Sequence, residues 1–134
     1  MKRTLIILKG IGSSGKSTFA KLINKSKICC ADDYFEDVNG NYNFDASKLS
    51  EAHAHCRQQF DDALNDKNIE NIVICNTNCK ESDYAYYVRI AQEQDLMITY
   101  VVLEKRHNNA NHHNLPEFVL ERQHTNLINN LKLK

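Results

Sequence analysis

The chain has 134 residues, of which 42% are hydrophobic and 25% are charged, and these proportions match an ordinary globular protein. This length suits one hydrophobic core and excludes a second one, so we expect residues 1–134 to form a single domain. Lysine and arginine together (17) balance aspartate and glutamate (17), which excludes a protein that holds nucleic acid through a broad positive surface.

Cysteine content and apolar run lengths predict the compartment. The chain has five cysteines, which form no CxxC pair and fall mostly in apolar runs. This pattern is typical of reduced thiols in a protein core, so we expect a cytoplasmic protein. A zinc site that joins Cys75 and Cys79 to the pair His112-His113 is the alternative, although the spacing fits no common zinc motif. We expect neither a secretion signal nor a membrane-spanning segment, because no apolar run is long enough.

The first apolar run, Thr4 to Leu8, predicts a strand, and a phosphate-binding motif follows it. The motif G-x-x-x-x-G-K-[ST] is matched by Gly10, Ile11, Gly12, Ser13, Ser14, Gly15, Lys16 and Ser17. A helical segment begins at Thr18, which completes the P-loop context. Backbone amides of such a loop surround phosphate oxygens, Lys16 reaches the β- and γ-phosphates, and the Ser17 hydroxyl binds Mg²⁺. We therefore expect a site for ATP or another nucleoside triphosphate with Mg²⁺.

The second apolar run, Lys27 to Ala31, predicts a strand that ends at Asp32 and Asp33. Ligands of open α/β sheets gather at the carboxyl ends of strands, and we expect Asp32 at such an end, beside the end of the P-loop strand, where it is suited to act as a general base. The alternative is that either aspartate caps a short helix. A longer helix follows, with Asp45 as its N-cap and an end near Asn68. Its apolar stripe consists of Leu49, Ala52, Cys56, Phe60, Ala63 and Leu64.

Two more strands are predicted, from Asn71 to Cys75 and from Leu96 to Leu103. A helix after Ser82 separates them, and its tyrosines fit a packing role better than a base-stacking role. The polar stretch from Glu104 to Leu115 is too long for a simple connection and predicts a lid loop. A final helix follows Pro116.

Strands and helices therefore alternate along the chain. Such alternation predicts a three-layer α/β fold of the P-loop NTPase type, with a short parallel sheet, a central first strand and helices on both faces.

Four stretches carry a resemblance to a known family. They are Ala31-Asp32-Asp33-Tyr34-Phe35, Glu51-Ala52-His53-Ala54-His55-Cys56-Arg57, Asn76-Thr77-Asn78 and Asn111-His112-His113-Asn114-Leu115-Pro116. In this order they resemble P-loop kinases related to the phage polynucleotide 5′-kinases. They are more similar still to a small single-domain branch that resembles the kinase-like part of a ubiquitin-ligase-binding protein group. The resemblance spans almost the whole chain and implies transfer of the γ-phosphate of ATP to a hydroxyl, foremost the 5′-hydroxyl of a polynucleotide.

The resemblance also implies functions for individual residues. Asp32 corresponds to the carboxylate that accepts the proton of the attacking hydroxyl, whereas Asp33 is expected to support the fold or the substrate. His53 matches a family histidine that contacts substrate or packs its helix. Asn76 and Asn78 are expected near the P-loop, where they order phosphate or Mg²⁺-bound water; the alternative is that Thr77 and Asn78 close a turn.

Two positions depart from the family pattern. The family tends to have Asp-Asn-Thr-Asn where this chain has Cys75-Asn76-Thr77-Asn78, and it has arginine where this chain has Ala110. Because phosphoryl transfer needs a guanidinium near the γ-phosphate, Arg106 and Arg122 are the candidates to replace it, although either can be a solvated surface charge. Arg106 is slightly preferred, because a residue near the start of a closing loop can reach inward. The departures leave open an impaired nucleotide-binding protein that acts through a partner. The balanced charge leaves open a small-molecule or nucleoside kinase.

Overall fold

The structure is a computed structural model that describes residues 2–12, 14–104 and 116–131. Strands and helices alternate in the described part, as predicted. The strands are β1 (Thr4–Lys9), β2 (Ser26–Cys29), β3 (Asn71–Ile74) and β4 (Met97–Val102). The helices are α1 (Lys16–Ala20), α2 (Leu49–Leu64), α3 (Glu81–Glu93) and α4 (Glu117–Leu131). Two 3₁₀ helices, Ala31–Phe35 and Ala46–Lys48, connect β2 to α2.

The four strands form one parallel sheet in the order β2-β3-β1-β4. This confirms the predicted α/β class and the interior position of the P-loop strand. However, β3 lies between β1 and β2, so the expectation that Asp32 follows a strand next to the P-loop strand is wrong. The neighbour of the P-loop is the end of β3, where the Gly10 amide donates to the Thr77 carbonyl at 3.0 Å.

Apolar side chains cover the sheet on both faces, which gives the fold its three layers. On one face, Leu5, Ile7, Ile72 and Ile74 pack with buried residues of α2 and α3. On the other face, Leu8 and Val73 pack with Ala20, Cys30 and Cys75. The expectation that all strands are covered on both faces is wrong for β4. It is an edge strand, and its residues Met97 and Tyr100 are 51% and 47% exposed.

Helix boundaries differ from the predictions by a few residues. Helix α2 ends at Leu64 rather than near Asn68. Asp45 accepts a hydrogen bond from the Ser47 amide, so it caps the 3₁₀ helix that leads into α2. In the described residues, no helix is both long and apolar enough to span a membrane.

The cysteines are buried free thiols, as the sequence predicted. Of the alternative zinc ligands, His112 and His113 lie outside the described residues. Within residues 2–12, 14–104 and 116–131, no group of three or more histidine, cysteine or acidic side chains is arranged to hold a metal ion.

Candidate active site

The P-loop connects β1 to α1 and depends on two glycines. Gly15 has a φ of 97°, a left-handed conformation that side chains disfavour. A Cβ atom at Gly10 would clash with Ser14 Oγ and lie 2.8 Å from the Leu103 carbonyl oxygen. The glycines therefore allow both the turn and the close approach of the loop to the end of β4. Ser13, another residue of the motif, lies outside the described residues.

Lys16 extends back across the loop. Its Nζ donates hydrogen bonds to the carbonyl oxygens of Gly10, at 3.0 Å, and Ile11, at 2.9 Å. Burial lowers the pKa of Lys16, while nearby thiols and Asp32 partly oppose this shift. The ammonium group thus lies within the loop, where phosphate oxygens can replace carbonyls as its acceptors.

Helix α4 contacts the P-loop through Gln123, which the sequence reasoning did not identify. The Gly12 amide donates a hydrogen bond to Gln123 Oε1 at 2.9 Å. Backbone amides of a P-loop are the groups that bind phosphate, so the Gln123 oxygen takes the position of a phosphate oxygen on this amide. The neighbouring Arg122 lines the same cavity. A glutamine on a polar helix carries no motif, so only the packing of α4 reveals this contact.

A cavity of about 480 Å³ extends from the P-loop across the carboxyl ends of β3 and β2. It brings together predicted site residues from five parts of the chain. They are Gly12, Ser14, Gly15, Lys16, Ser17, Thr18, Asp32, Asp33, His53, Asn76 and Arg122. Arg106 lies outside the described residues, and Asn78 is not part of the lining.

Asp32 and Asp33 are exposed in the first turn of the 3₁₀ helix after β2, and neither side chain caps this helix, whose N-cap residue is Cys30. Tyr42 donates its hydroxyl to Asp32 Oδ1 at 3.3 Å, and burial together with the Asp32 carboxylate raises the pKa of Tyr42. Gln59 donates to Asp33 Oδ2 at 3.5 Å. Asp32 therefore faces the cavity as an oriented carboxylate rather than as a helix cap.

The two asparagines after β3 occupy different environments. Asn76 Oδ1 accepts a hydrogen bond from the Ala31 amide at 2.9 Å, which joins the end of β3 to the segment that contains Asp32 and Asp33. Asn78 is fully buried and has a φ of 51°. Its Nδ2 donates to the carbonyl oxygens of Leu8, at 2.6 Å, and Ile74, at 3.2 Å. Asn78 thus ties the ends of β1 and β3 together beneath the site, as its turn-closing alternative requires.

Phe35, Tyr42 and Phe44 form an aromatic wall of the cavity. The centroid of the Phe35 ring lies 6.1 Å from that of Tyr42 and 5.2 Å from that of Phe44, and the Phe35 plane is tilted by 75° and 60° against these two rings. Leu49 and the exposed His53 line the same cavity. The sequence assigned Leu49 to the buried stripe of α2, but Leu49 is 42% exposed. The wall is therefore an apolar surface of tilted rings in the cavity that Asp32 also lines, and Phe44 is its most exposed ring.

The donor atoms of the cavity suit Mg²⁺ bound mainly by phosphate. Mg²⁺ prefers oxygen ligands and takes many of them from substrate phosphates and water. The exposed Ser17 hydroxyl and the carboxylates of Asp32 and Asp33 are oxygen donors in this cavity. Cys75 Sγ lies 3.9 Å from Ser17 Oγ and offers sulfur instead. A hydrogen bond with Cys30, helped by Ser17 and Lys16, lowers the pKa of Cys75. The oxygen donors present fit Mg²⁺, and Ser17 Oγ is the candidate for the direct protein ligand.

A parallel sheet whose first strand leads into such a loop gives the chain the fold of P-loop proteins. A family model described as an AAA domain matches residues 5–126, and the chain belongs to this family. The match agrees with the resemblance to polynucleotide kinases that the motifs predicted.

Among curated proteins, human NEDD4-binding protein 2 is 33% identical over 100 residues. The match covers 72% of this chain but only 6% of that protein. A chain in the structure of the Pnkp1/Rnl/Hen1 RNA repair complex is similar with a TM-score of 0.68 and 21% identity, over 96% of this chain and 45% of that one. A mutant of the APS kinase CysC from Mycobacterium tuberculosis has a TM-score of 0.53 and 13% identity, over 97% of both chains. These structural similarities establish the P-loop kinase-like fold.

Proposed function

We propose that the protein is a kinase that transfers the γ-phosphate of ATP, or of a related nucleoside triphosphate, to the 5′-hydroxyl of a polynucleotide. The observation that carries this proposal is the single cavity in which the P-loop, Asp32 and the aromatic wall meet. Phosphoryl transfer needs a phosphate cradle and an oriented acceptor hydroxyl close together. We further propose that the described residues belong to one domain, because a single sheet with its two apolar faces includes every strand among them.

In the proposed mechanism, the P-loop amides and the Lys16 ammonium bind the β- and γ-phosphates. Phosphate oxygens replace Gln123 Oε1 on the Gly12 amide and replace the carbonyls that now accept from Lys16. Ser17 would hold Mg²⁺, which when bound would supply charge neutralisation on the phosphates. Asp32, oriented by the Tyr42 hydroxyl, accepts the proton of the attacking hydroxyl. Arg122 is available on α4 to neutralise charge on the transferred group.

The aromatic wall supports a nucleotide as the acceptor. Bases stack on aromatic side chains with little sequence preference, and Phe44 is 49% exposed beside the cavity. Because the net charge of the chain is zero, binding relies on the terminal nucleotide rather than on a long stretch of backbone. The similarity to a chain of an RNA repair complex supports the same acceptor class.

A second candidate function, nucleotide binding with impaired catalysis, is supported by one contact. Cys75 Sγ lies 3.9 Å from Ser17 Oγ, at the position where related kinases tend to have a carboxylate. A thiol organises Mg²⁺-bound water less well than a carboxylate does, because Mg²⁺ is a hard cation. The second departure, Ala110, lies outside the described residues.

An acceptor panel distinguishes these functions. The protein is incubated with Mg²⁺, γ-labelled ATP and 5′-hydroxyl oligonucleotides, nucleosides or small metabolites. The proposal predicts label at the 5′ end of oligonucleotides and none on oligonucleotides that already carry a 5′-phosphate. If only nucleosides or metabolites are labelled, the acceptor is a small molecule and not a polynucleotide. ATP binding without transfer to any hydroxyl would favour the impaired binder.

A further inference from the structure

We propose that Cys30 and Cys75, at the floor of the nucleotide cavity, form a reversible disulfide when the protein is exposed to a peroxide, and that bound nucleotide protects them. The dithiol site follows from the geometry of two strand ends. Only the protection by nucleotide rests on the proposed function.

The strand register places the two cysteines side by side. Cys29 of β2 pairs with Ile74 of β3, so Cys30 and Cys75 are the next pair in the same parallel ladder. The Cys75 amide donates to the Cys29 carbonyl at 2.9 Å, which extends the ladder to this pair. Neighbouring strands lie about 4.8 Å apart, and disulfides join Cα atoms about 4.4 to 6.8 Å apart. The backbone spacing therefore suits a disulfide.

Both side chains lie on the same face of the sheet. Cys30 and Cys75 belong to the apolar cluster that includes Leu8 and Val73, whereas Cys29 belongs to the cluster on the opposite face. Cys30 Sγ donates to the Cys75 carbonyl oxygen at 3.5 Å. Because the strands end at Cys29 and Ile74, small backbone shifts that align the sulfur atoms do not break a regular ladder.

The pair can be reached by a small oxidant. Cys30 and Cys75 are 8% and 4% exposed, and both line the cavity that contains the P-loop. In contrast, Cys29 and Cys56 are fully buried in the other cluster. Hydrogen peroxide is small enough to enter through the cavity, so oxidation is expected at the pair that lines it.

The reaction balances with the peroxide as oxidant. One cysteine, as a thiolate, attacks a peroxide oxygen, which forms a sulfenic acid and releases hydroxide that leaves as water. The second thiol attacks the sulfenic sulfur, the S–S bond forms, and a second water leaves. Overall, two thiols lose two hydrogen atoms and one hydrogen peroxide becomes two waters. A dithiol reductant reverses the reaction by exchange.

The disulfide would alter the proposed nucleotide site at two points. Cys75 Sγ lies 3.9 Å from Ser17 Oγ, and Cys30 is the N-cap residue of the 3₁₀ helix that carries Asp32. Drawing the sulfur atoms together moves both neighbours. By linkage, if the disulfide weakens ATP binding, then bound ATP must disfavour the disulfide by the same factor.

Peptide mapping of the full chain tests the site directly. Reduced protein is treated with hydrogen peroxide, the remaining thiols are alkylated, and the digest is analysed without reduction. We expect a peptide linked through Cys30 and Cys75 that disappears on reduction, with Cys79→Ser as a matched control that retains it. Absence of this linkage in the wild-type protein, or a disulfide between the same two peptides in Cys30→Ser, would overturn the proposal.

The protection is tested by repeating the oxidation with MgATP, alongside calorimetry of ATP binding to the reduced and oxidised proteins. With the disulfide equilibrated against a dithiol–disulfide redox buffer, we expect both its equilibrium constant in the presence of MgATP and the ATP affinity of the oxidised protein to fall by roughly 5- to 150-fold, the usual range of coupling between sites. If ATP binds the reduced protein tightly but changes neither quantity, protection is refuted. If ATP does not bind the reduced protein at all, nucleotide binding at the P-loop fails, while the mapping still decides the dithiol site.

Discussion

Lys16 is the residue on which the proposed nucleotide binding should depend most. In Lys16→Ala the phosphates lose their cationic partner, and a hydrogen bond to a charged group is worth about 1.5 to 3 kcal/mol. We therefore expect ATP affinity, measured by calorimetry, to fall roughly 10- to 100-fold, with a smaller loss for ADP because the γ-phosphate is missing. Lys67→Ala is the control, since Lys67 is exposed in the loop before β3, at the opposite end of the sheet. Equal ATP affinity in Lys16→Ala and the control would refute the site.

Arg122 is the arginine that the structure brings to the cavity, although Arg106, outside the described residues, was slightly preferred from the sequence. If Arg122 neutralises charge on the transferred phosphoryl group, Arg122→Ala should lower the single-turnover rate on the order of 10³-fold. Arg106→Ala and Ala110→Arg complete the comparison. Unchanged single-turnover rates in both Arg122→Ala and Arg106→Ala would show that neither arginine takes part in catalysis. Activity found only in Ala110→Arg would identify the natural protein as an impaired binder.

The sequence predicted the site residues that belong to a contiguous motif. The P-loop is a contiguous motif, so Lys16 and Ser17 could be found without knowledge of the fold. Gln123 could not be found, because its contact with Gly12 joins residues 111 positions apart. Asn78 was predicted to act at the site, but its side chain donates hydrogen bonds to backbone carbonyl oxygens. Its left-handed conformation and its burial depend on the pairing of β1 with β3, which the local sequence does not show.

Among the structural elements, α4 depends on a buried polar anchor. Lys9, at the end of β1, is 6% exposed and donates to Tyr84 of α3 at 3.0 Å and to Asn130 of α4 at 2.6 Å. Its Nζ also lies 4.5 Å and 4.6 Å from the ring centroids of Tyr84 and Tyr100. This network joins β1, α3, β4 and α4, so it holds the helix that carries Arg122 over the P-loop.

Asn130→Leu tests the anchor. The substitution removes one of the two hydrogen-bond acceptors of the buried Lys9 Nζ, and a hydrogen bond to a charged group is worth about 1.5 to 3 kcal/mol. We expect the free energy of unfolding, measured in urea, to fall by about this amount. Asn129→Leu is the matched control, because Asn129 is exposed on the same helix and makes no hydrogen bond to Lys9. If both variants lose equal stability, the change reflects leucine on α4 rather than the anchor.

Element positions were largely predictable because apolar periodicity is local. The stripe of α2 was correct at Ala52, Cys56 and Phe60, which are fully buried. The exposure of Leu49 and of β4 could not be predicted, because the same types of apolar residue occur at buried positions and at the edges of sheets and helices. The five-residue length of α1 was also not evident, because no breaker follows Ala20 in the sequence.

At the scale of the whole molecule, the sheet order assembles the site. The P-loop follows β1, Asn76 follows β3 and Asp32 follows β2, and β3 lies between the other two strands. The hydrogen bond from the Ala31 amide to Asn76 attaches the segment that contains Asp32 and Asp33 to the end of β3, the strand between β2 and the P-loop strand. Alternating strands and helices predict a parallel sheet but do not determine which strands are neighbours, so the sequence placed Asp32 beside the wrong strand.

Transfer of γ-labelled phosphate from ATP to a 5′-hydroxyl oligonucleotide, in a single turnover with wild-type protein and Asp32→Asn, tests the central claim most directly. Asparagine preserves the shape of Asp32 but cannot accept the proton, so the rate should fall by roughly 10² to 10⁴ while ATP affinity is unchanged. Asp33→Asn should lose much less, since Asp33 is bonded to Gln59. The predicted result is label at the 5′ end with wild-type protein and its near loss in Asp32→Asn. Equal rates in the two proteins, or wild-type protein that binds ATP but labels no hydroxyl, would contradict the account.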